Sequence, residues 1–435
     1  MHAARLVPLC IASVLSSARA SADVIVVDDG GGADHTSIQS AVDAAVDGDT
    51  ILVRAGFYGG FTIANRSLTV TADAGENVVI TGAVRVLDLT ITQDVLLAGL
   101  TGAGVPSLSD DLAGHGLVLR NNFGSVRVET SSFTGADNFD ATLPEDCIAF
   151  GDNNGFHGAL VENCADVVMH RSEFYGGDGL ILPDDFTGLG YCGFLLPGGD
   201  GGHGVFADAA RVVISDSVTV GGDGEYGGQG GRGGDGYRGL GTGQVVVAGT
   251  ELAGGEGGVG FDFLFGPGGQ GGDGILTLGS TDTLLRDNAT AGGEGGHSVV
   301  FEDGADGQGI EVYGTLTEFS QAARKLSADS PAREGELLSL DFEGVPEDFA
   351  VLLYGTPETF LLPIFQGALL TDATPGVIVL GTIDGTGQLS LEATVGGIDA
   401  SLGAIRLSLQ GLFVTSTGTA TLGSAQDVVL LDAAF

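Results

Sequence analysis

The chain has 435 residues, of which 78 are glycine, 16 are lysine or arginine and 57 are aspartate or glutamate, giving a formal net charge of −41. So few cations exclude a nucleic-acid binder that displaces counterions from phosphates, and so much glycine excludes a coiled coil or helical bundle. A hydrophobic fraction of 43% is enough to build a core and excludes a disordered tail.

Residues 1–22 are predicted to be a secretory signal peptide. Arg5 supplies the positive charge, residues 6–15 form a short apolar stretch, and Ala18, Ala20 and Ala22 are the small residues that cleavage requires. We therefore expect a secreted or cell-surface protein exported in the bacterial manner. Removal of Arg5 and Arg19 takes two positive charges away, so the net charge falls from −41 to −43. No later apolar run reaches the ~18 residues of a membrane span.

The next segment predicts one strand, one helix and then many short strands. The sequence Thr36-Ser37-Ile38-Gln39 fits a capping box, and the apolar residues after it share one helical face. The following runs are β-branched and are separated by Gly, Asn and Asp. The predicted strands are Val24–Val27, Thr50–Val53, Phe61–Ile63, Leu68–Thr71, Val78–Ile80, Val84–Leu87, Leu89–Ile91 and Val95–Leu97.

A glycine followed by an apolar strand then recurs along the chain. The repeat begins at Gly116, Gly158, Gly204, Gly243, Gly274 and Gly309, with intervals of 31 to 46 residues. These intervals exceed the ~20–25 residues of a bare coil in repeat proteins, so each coil is expected to carry an insertion. One coil cannot bury its own apolar face, whereas stacked coils build a continuous core.

This order of elements resembles the N-terminal cap and first coils of right-handed parallel β-helix proteins of the pectin-lyase-like fold. The resemblance covers residues 23–318, and it implies an all-β protein with an N-terminal capping helix. It also implies that extracellular polysaccharide is the class of ligand to consider.

The insertions are rich in glycine with a period of three. From Gly221 the triplets are GGD GEY GGQ GGR GGD GYR GLG, and similar tracts begin at Gly254 and Gly292. Period three is typical of the extended threefold helix. Collagen needs longer runs with more proline, and flexible linker is the plainer alternative. We favour ordered, stacked helices, because stacking gives their backbone groups partners. The tracts resemble the glycine-rich sandwiches of some viral tail-tip adhesins and small antifreeze proteins.

The C-terminal part has a different composition. Residues 319–335 hold Lys325, two arginines and Pro331, and are predicted to be a linker or end cap. Residues 336–435 alternate strands and turns, about seven strands in all, which is typical of a small β-sandwich. This part resembles the C-terminal sandwich modules of secreted bacterial proteins.

Two metal hypotheses follow from the repeat. His115, His157 and His203 each precede a coil-opening glycine, so stacked coils bring their rings into one column that could hold a transition metal; a polar ladder at a turn is the alternative. Acidic residues also recur in the glycine tracts, and their oxygens suit Ca²⁺; ordinary solvated carboxylates are the alternative. The residues proposed for Ca²⁺ are Asp178, Asp200, Asp223 and Glu256, with Glu294 and Asp303 further along.

Two catalytic hypotheses follow from the resemblance. Polygalacturonases pair aspartates with a Gly-His-Gly segment, and Asp184, Asp185 and His203 are the corresponding candidates for acid and base. Polysaccharide lyases combine acidic calcium ligands with a basic residue that removes a sugar proton, for which Arg171 beside Asp166 is the candidate. Neither set is complete, since the other segments of the polygalacturonase pattern have no match and Arg is a poor base.

Three cysteines remain after export, which permits a disulfide. Cys147 and Cys192 lie in successive insertions, 45 residues apart, close to the coil interval there. A Cys147–Cys192 bridge is therefore predicted, and Cys164 is predicted to be a small buried hydrophobe.

The sequence thus favours a secreted protein that binds extracellular polysaccharide or another surface through stacked glycine-rich loops, without catalysis. A polysaccharide lyase or glycoside hydrolase is the alternative, and a purely structural envelope or matrix component is a third class. Partners are expected to be a glycan or surface rather than nucleic acid, and Ca²⁺ is the one cofactor considered.

Overall fold

A computed structural model describes residues 23–107, 109–137, 154–180, 197–260, 266–298, 301–362, 365–398 and 402–435. Within these residues the protein is nearly all β, with one short helix, α1 (Ile38–Ala44). Two large parallel sheets contain the described strands from Val24 to Phe319, and smaller sheets contain the strands that follow. Strands and the helix are numbered in chain order.

The first parallel sheet, sheet A, has ten strands that pair in chain order. Each strand contributes four or five residues, and each comes from a successive coil of the chain. The strands are β1 (Val24–Val27), β2 (Thr50–Val53), β4 (Leu68–Ala72), β6 (Asp94–Ala98), β9 (Ser125–Glu129), β12 (Asp166–His170), β15 (Arg211–Ser215), β18 (Gln244–Ala248), β21 (Asp282–Arg286) and β24 (Thr315–Phe319).

The second parallel sheet, sheet B, has two flanks that meet at one long strand, β5 (Val78–Leu87), which also pairs with β3 (Gly56–Ala64). Flank 1 contains β8 (Leu117–Arg120), β11 (Ala159–Glu162), β14 (Val205–Asp208), β17 (Tyr237–Leu240), β20 (Ile275–Thr277) and β23 (Ile310–Val312). Flank 2 contains β7 (Leu100–Ala103), β10 (Ser132–Thr134), β13 (Glu173–Tyr175), β16 (Val218–Val220), β19 (Glu251–Ala253) and β22 (Ala289–Ala291).

Each coil therefore runs through flank 1, sheet A and flank 2 in turn, and the sheets enclose one apolar core. Alternate residues of a strand face inward, so Val126, Val167, Val212 and Val245 form a fully buried column in register across sheet A. The prediction of an all-β chain with a large parallel sheet is confirmed. The sheet curls almost into a barrel, which is compatible with a parallel β-helix.

Helix α1 covers the start of the core with Ile38, Ala41 and Val42. Its N-cap is Ser37, whose hydroxyl accepts the Ser40 N–H at 3.3 Å. The N-cap therefore lies one residue later than the predicted capping box from Thr36 to Gln39 places it. The Gln39 side chain instead accepts the N–H of Thr62 in β3 and ties the helix to sheet B.

All glycine-rich insertions leave the coils at the corner between flank 2 and flank 1. In the early coils β5 passes this corner without a break, pairing with β7 through residues 78–81 and with β8 through residues 84–87. The predicted strands Val78–Ile80 and Val84–Leu87 are thus one strand. The predicted strand Leu89–Ile91 is wrong, since these residues form the turn from β5 to β6.

The predicted repeat is also wrong at one coil. Val205 pairs with Tyr237, so the glycine that opens this coil is Gly236, whereas Gly243 precedes a strand of sheet A. The tripeptide pattern continues through Gly236 and Gly239, and this concealed the strand that begins there.

The remaining strands form mostly antiparallel sheets that share an apolar core. A three-stranded sheet contains β25 (Lys325–Ala328), β27 (Leu337–Glu343) and β32 (Gln388–Thr394). A five-stranded sheet contains β26 (Ala332–Arg333), β34 (Ala420–Leu431), β33 (Ala404–Val414), β28 (Phe349–Gly355) and β31 (Gly376–Thr382). A short pair contains β29 (Phe360–Leu362) and β30 (Gly367–Leu369). The predicted linker, residues 319–335, thus contributes two strands.

These C-terminal sheets pack on the outer face of sheet A. Val168, Val213 and Val246 contact Ala368 and Leu370 there. Arg127 of β9 is fully buried at this interface, where it donates to the Leu370 carbonyl at 2.7 Å and lies 3.4 Å from the Asp427 carboxylate. A buried charge is tolerated when it is paired and hydrogen-bonded, so this network fixes the C-terminal sheets on the parallel sheet.

Candidate functional site

The glycine-rich segments form a two-layer structure, here called the glycine wall. One layer holds the segments that follow flank 2 (residues 135–137, 176–180, 221–227, 254–260 and 292–298), and the other holds the segments that precede flank 1 (residues 154–157, 197–203, 229–236, 266–273 and 303–308). Backbone N–H groups of one layer donate to carbonyls of the other. For example, Gly222 donates to Gly202, Gly234 to Gly222 and Gly255 to Gly234, each at 2.8 Å. The stacking expected from the sequence therefore supplies the backbone partners.

The last coil of the glycine wall ends in aspartates. In the coil before the last, the N–H of Gly257 donates to the Glu294 carbonyl of the last coil at 2.8 Å. The corresponding N–H in the last coil, that of Gly295, donates to the Asp306 carboxylate at 2.9 Å, and the Ser298 N–H donates to Asp303 at 2.8 Å. These side chains replace the carbonyls that another coil would provide.

The acidic residues proposed for Ca²⁺ lie on the outer surfaces of the glycine wall. The Asp178 carboxylate accepts the Asp223 N–H at 2.8 Å, and the Asp223 carboxylate accepts the Glu256 N–H at 2.7 Å. On the other layer, Asp200 accepts the Arg232 N–H at 2.7 Å. The carboxylates of Asp178, Asp223 and Asp200 therefore bond the backbone of the next coil. Calcium binding by the proposed set stays a prediction.

The three predicted histidines do form a column. The rings of His115 and His157, and of His157 and His203, stack with centroids 5.0 Å apart, and Phe206 stacks on His157. Each Nδ1 accepts a backbone N–H from the next coil, at 3.0 Å for His115 and His157 and 2.8 Å for His203, whose donor is Asp235.

Burial lowers the pKa of all three histidines, that of His115 to about 4. The rings are therefore neutral at pH 7 and act as acceptors in a ladder that Asp235 and Asp273 continue. Within the described residues, no group of three or more His, Cys, Asp or Glu side chains is placed to hold a metal ion. Metal binding by the column stays a prediction.

Several predicted residues lie outside the described residues, namely Asp184, Asp185, Cys147 and Cys192. Cys164 is described, and it is buried and free as predicted, with burial raising its pKa to about 11.

A cleft of about 660 Å³ separates the coils from the three-stranded sheet. One side is the corner between sheet A and flank 2. There Arg171 and Asp216 occupy equivalent positions in successive coils, both with left-handed backbone (φ of 49° and 51°). Glu173 and Ser217 follow them in the cleft lining. This backbone conformation turns each coil at the corner and places the Arg171 side chain in the cleft.

The other side of the cleft is the polar face of the three-stranded sheet. The strand registers align two rows of side chains across it: Lys325, Glu343 and Gln388 form one row, and Ser327, Asp341 and Ser390 form the other. The intervening residues, such as Leu326 and Phe342, point into the core. The alternation of strand residues thus produces a polar surface over an apolar support.

The cleft contains opposite charges. Lys325, the one lysine of the whole sequence, lies 3.3 Å from the Asp216 carboxylate. Burial raises the pKa of Asp216, while Lys325 opposes that shift. Arg171 is the second cation, and Glu173, Asp341 and Glu343 are further acids. The lining therefore offers charged donors, charged acceptors and neutral hydroxyl and amide groups.

Of the two catalytic sets, the one with Asp184 and Asp185 lies partly outside the described residues. Arg171 lines the cleft, whereas His203 lies in the glycine wall before flank 1. Asp166 pairs with Arg211 at 3.4 Å rather than with Arg171. Lys325 and the two polar rows were not among the predicted site residues. The one signal for them was Lys325 itself, a single lysine in a segment of changed composition.

No protein-family model matches the chain, and none of the curated proteins compared with it is similar in sequence. In the described part of the chain, no helix has the length and apolar character needed to span a bilayer.

Proposed function

We propose that the protein is secreted and binds an extracellular polysaccharide without cleaving it, and that the cleft is the binding site. The observation that carries the proposal is the pair of polar rows facing Arg171 across the cleft. Sugar hydroxyls both donate and accept hydrogen bonds, and the rows offer hydroxyl, amide and carboxylate partners. The cleft volume of about 660 Å³ lies in the usual range for small-ligand sites.

The finer architecture is part of the same proposal. We infer a right-handed parallel β-helix of pectin-lyase-like form, with threefold glycine helices in the wall and a C-terminal β-sandwich. The cleft follows a corner along which coils stack at the ~4.8 Å strand spacing. Such a surface repeats along one direction, which suits an extended polymer.

The test is a binding assay of the mature protein with neutral, acidic and amino-bearing polysaccharides, with and without Ca²⁺. Lys325 provides a direct readout, because the sequence has no other lysine and an amine-reactive reagent labels it and the N-terminus alone. A bound glycan is expected to reduce labelling of Lys325 several-fold relative to the N-terminal amine. Failure of every polymer to bind, or binding without protection of Lys325, contradicts the proposal.

Two matched variants locate the site. Glu343→Gln removes a carboxylate from the cleft, whereas Glu392→Gln makes the same change on β32, outside the cleft lining. We expect Glu343→Gln to weaken binding about tenfold, the value of one charged hydrogen bond of ~1.5 kcal/mol, and Glu392→Gln to leave it unchanged. Equal effects of the two substitutions would place the glycan elsewhere.

A polysaccharide lyase is the second candidate, favoured by Lys325 and Arg171 facing one cleft beside carboxylates. In such a reaction a base takes the C5 proton of a uronate, the C4–O bond breaks, a C4–C5 double bond forms, and the departing oxygen takes a proton. Ultraviolet absorbance of the unsaturated product measures it. If unsaturated product forms and Lys325→Met abolishes it, the protein is a lyase and the binding proposal is wrong. If a uronate polymer binds and no product forms, the binding proposal is supported.

A further inference from the structure

Arg286, the last residue of β21, is buried where the C-terminal sheets cover sheet A. It is 5% exposed. Its Nη1 donates to the Leu422 carbonyl at 3.1 Å, and its guanidinium carbon lies 5.1 Å from the centre of the Phe319 ring. The side chain thus points out of the parallel sheet into the interface.

The rest of this guanidinium is unsatisfied by the described protein groups. Among the described residues, neither Nε nor Nη2 of Arg286 has a hydrogen-bond partner. No described carboxylate lies within 4.0 Å of a guanidinium nitrogen of Arg286. The other buried arginines of this interface differ, since Arg127 pairs with Asp427 and Arg324 with Asp348. A buried charge is costly unless something compensates it.

A cavity of about 40 Å³ adjoins Arg286. By the same measure one water molecule needs roughly 10–15 Å³, so the cavity has room for a small ion. Val246, Leu284 and Leu370 make most of its lining apolar, and Gln366 contributes a side-chain oxygen that also has no partner among the described groups. Since amide oxygen and nitrogen positions are interchangeable, Gln366 can present N–H donors to the cavity.

The surrounding charges favour an anion. Burial, together with the nearby Arg324, lowers the pKa of Arg286 to about 10, so Arg286 remains cationic at pH 7. Asp216 is the carboxylate in the cavity lining, and it pairs with Lys325. Water would satisfy the N–H groups of Arg286 but would leave its charge uncompensated, whereas an anion does both.

We propose that this cavity binds one small monovalent anion of halide size, held by Nε and Nη2 of Arg286. The anion joins the parallel sheet to the C-terminal sheets, because Arg286 belongs to the first and Gln366 to the second. The cavity shares Asp216 with the lining of the polysaccharide cleft, but Arg286 and Gln366 belong to the cavity alone.

The first test is thermal unfolding of the mature protein from 1 to 100 mM sodium chloride or bromide, with sodium gluconate keeping the ionic strength constant. Gluconate is too large for the cavity. A ligand that binds only the folded state raises Tm, and we expect a rise of about 2–4 °C over this range. A Tm that does not change when halide replaces gluconate overturns the proposal.

Two variants assign the effect. Arg286→Met removes the charge and fills apolar space, so the halide dependence is expected to disappear. Arg54→Met makes the same charge change at an exposed position and is expected to keep the dependence. Equal dependence in wild type and Arg286→Met overturns the assignment.

The second test does not depend on the variant folding. Crystals of the wild-type protein grown in sodium bromide are expected to give an anomalous peak within hydrogen-bonding distance of Nε and Nη2 of Arg286. Density there without a bromide signal means water and overturns the proposal.

Discussion

The strands and the glycine wall stack the same coils in two different ways. In the sheets, backbone bonds join neighbouring strands and apolar side chains such as Val126 and Val212 fill the space between sheets. In the wall, backbone bonds join the two layers directly, and a Cβ on Gly234 would lie 1.9 Å from the Gly202 oxygen. The sheets therefore pack through side chains, whereas the wall packs through backbone contacts that leave no space for a side chain.

This difference teaches where sequence variation is tolerated. An apolar core accepts another apolar side chain of similar volume at modest cost. An interface of backbone against backbone accepts no side chain at all, which explains why glycine and not merely small residues recurs with period three.

The sharpest way to break the comparison is to add one carbon to the wall. Gly234→Ala is expected to destabilise the protein by about 3 kcal/mol or more, because the new carbon overlaps the Gly202 carbonyl and must separate two coils. Removing one carbon from the core, by Ile214→Val, is expected to cost about 1 kcal/mol. Urea unfolding measures both.

The control for this experiment is Gly59→Ala in β3, where an added Cβ meets nothing within 4 Å. Its effect is expected to stay within about 0.5 kcal/mol. A Gly234→Ala protein as stable as the Gly59→Ala protein would show that successive coils of the wall are not in contact at Gly202 and Gly234.

The histidine column sharpens the comparison through pH. His157→Asn keeps a side-chain acceptor for the next coil, as Asp235 does with its Oδ1, but removes a ring whose pKa is lowered by burial. Relative to wild type, the variant is expected to lose about 1–2 kcal/mol less stability between pH 7 and pH 5. Urea unfolding at the two pH values measures it.

The direction in which stability changes with pH follows from proton binding. The unfolded histidine titrates near 6.5 and the folded one lower, so below about pH 6.5 the unfolded chain binds more protons and stability falls as pH falls. Carboxyls with raised pKa, such as Asp235, oppose this trend but are common to both proteins. Identical pH dependence of the two proteins contradicts the neutral ladder.

The smallest expected effect is at the end of the wall. Asp306→Ala removes the acceptor of the Gly295 N–H, which then faces solvent. We expect a Tm change below about 2 °C, together with faster hydrogen exchange at the Gly295 amide. Unchanged exchange at Gly295 would show that Asp306 does not end the wall.

Features that repeat along the chain could be predicted from the sequence. The valine columns, the stacked histidines and the burial of Cys164 all follow from aligning one coil with the next. The error at Gly243 arose where two periods overlap, since the tripeptide pattern runs into β17. Local pattern alone does not show which period ends first.

Contacts between non-repeating segments could not be predicted. Arg127 alternates with valines in β9 and has the pattern of a solvent-facing residue, yet it is buried by Asp427, 300 residues away. The cleft likewise joins Arg171 to Ser390 across segments with no shared motif. The burial of Arg127 and the lining of the cleft both depend on how the C-terminal sheets pack on the coils. No periodic pattern in the sequence indicates that packing.

The unbroken passage of β5 around the corner has a consequence for how this molecule could change over evolution. In the early coils β5 crosses this corner without any glycine triplets. Each glycine-rich tract is therefore an insertion that leaves the coil at the corner and returns to the same corner. Triplets could be gained or lost in equal numbers in the segment that follows flank 2 and the segment that precedes flank 1. Such a change would alter how far the glycine wall extends from the coils and would leave every strand in place.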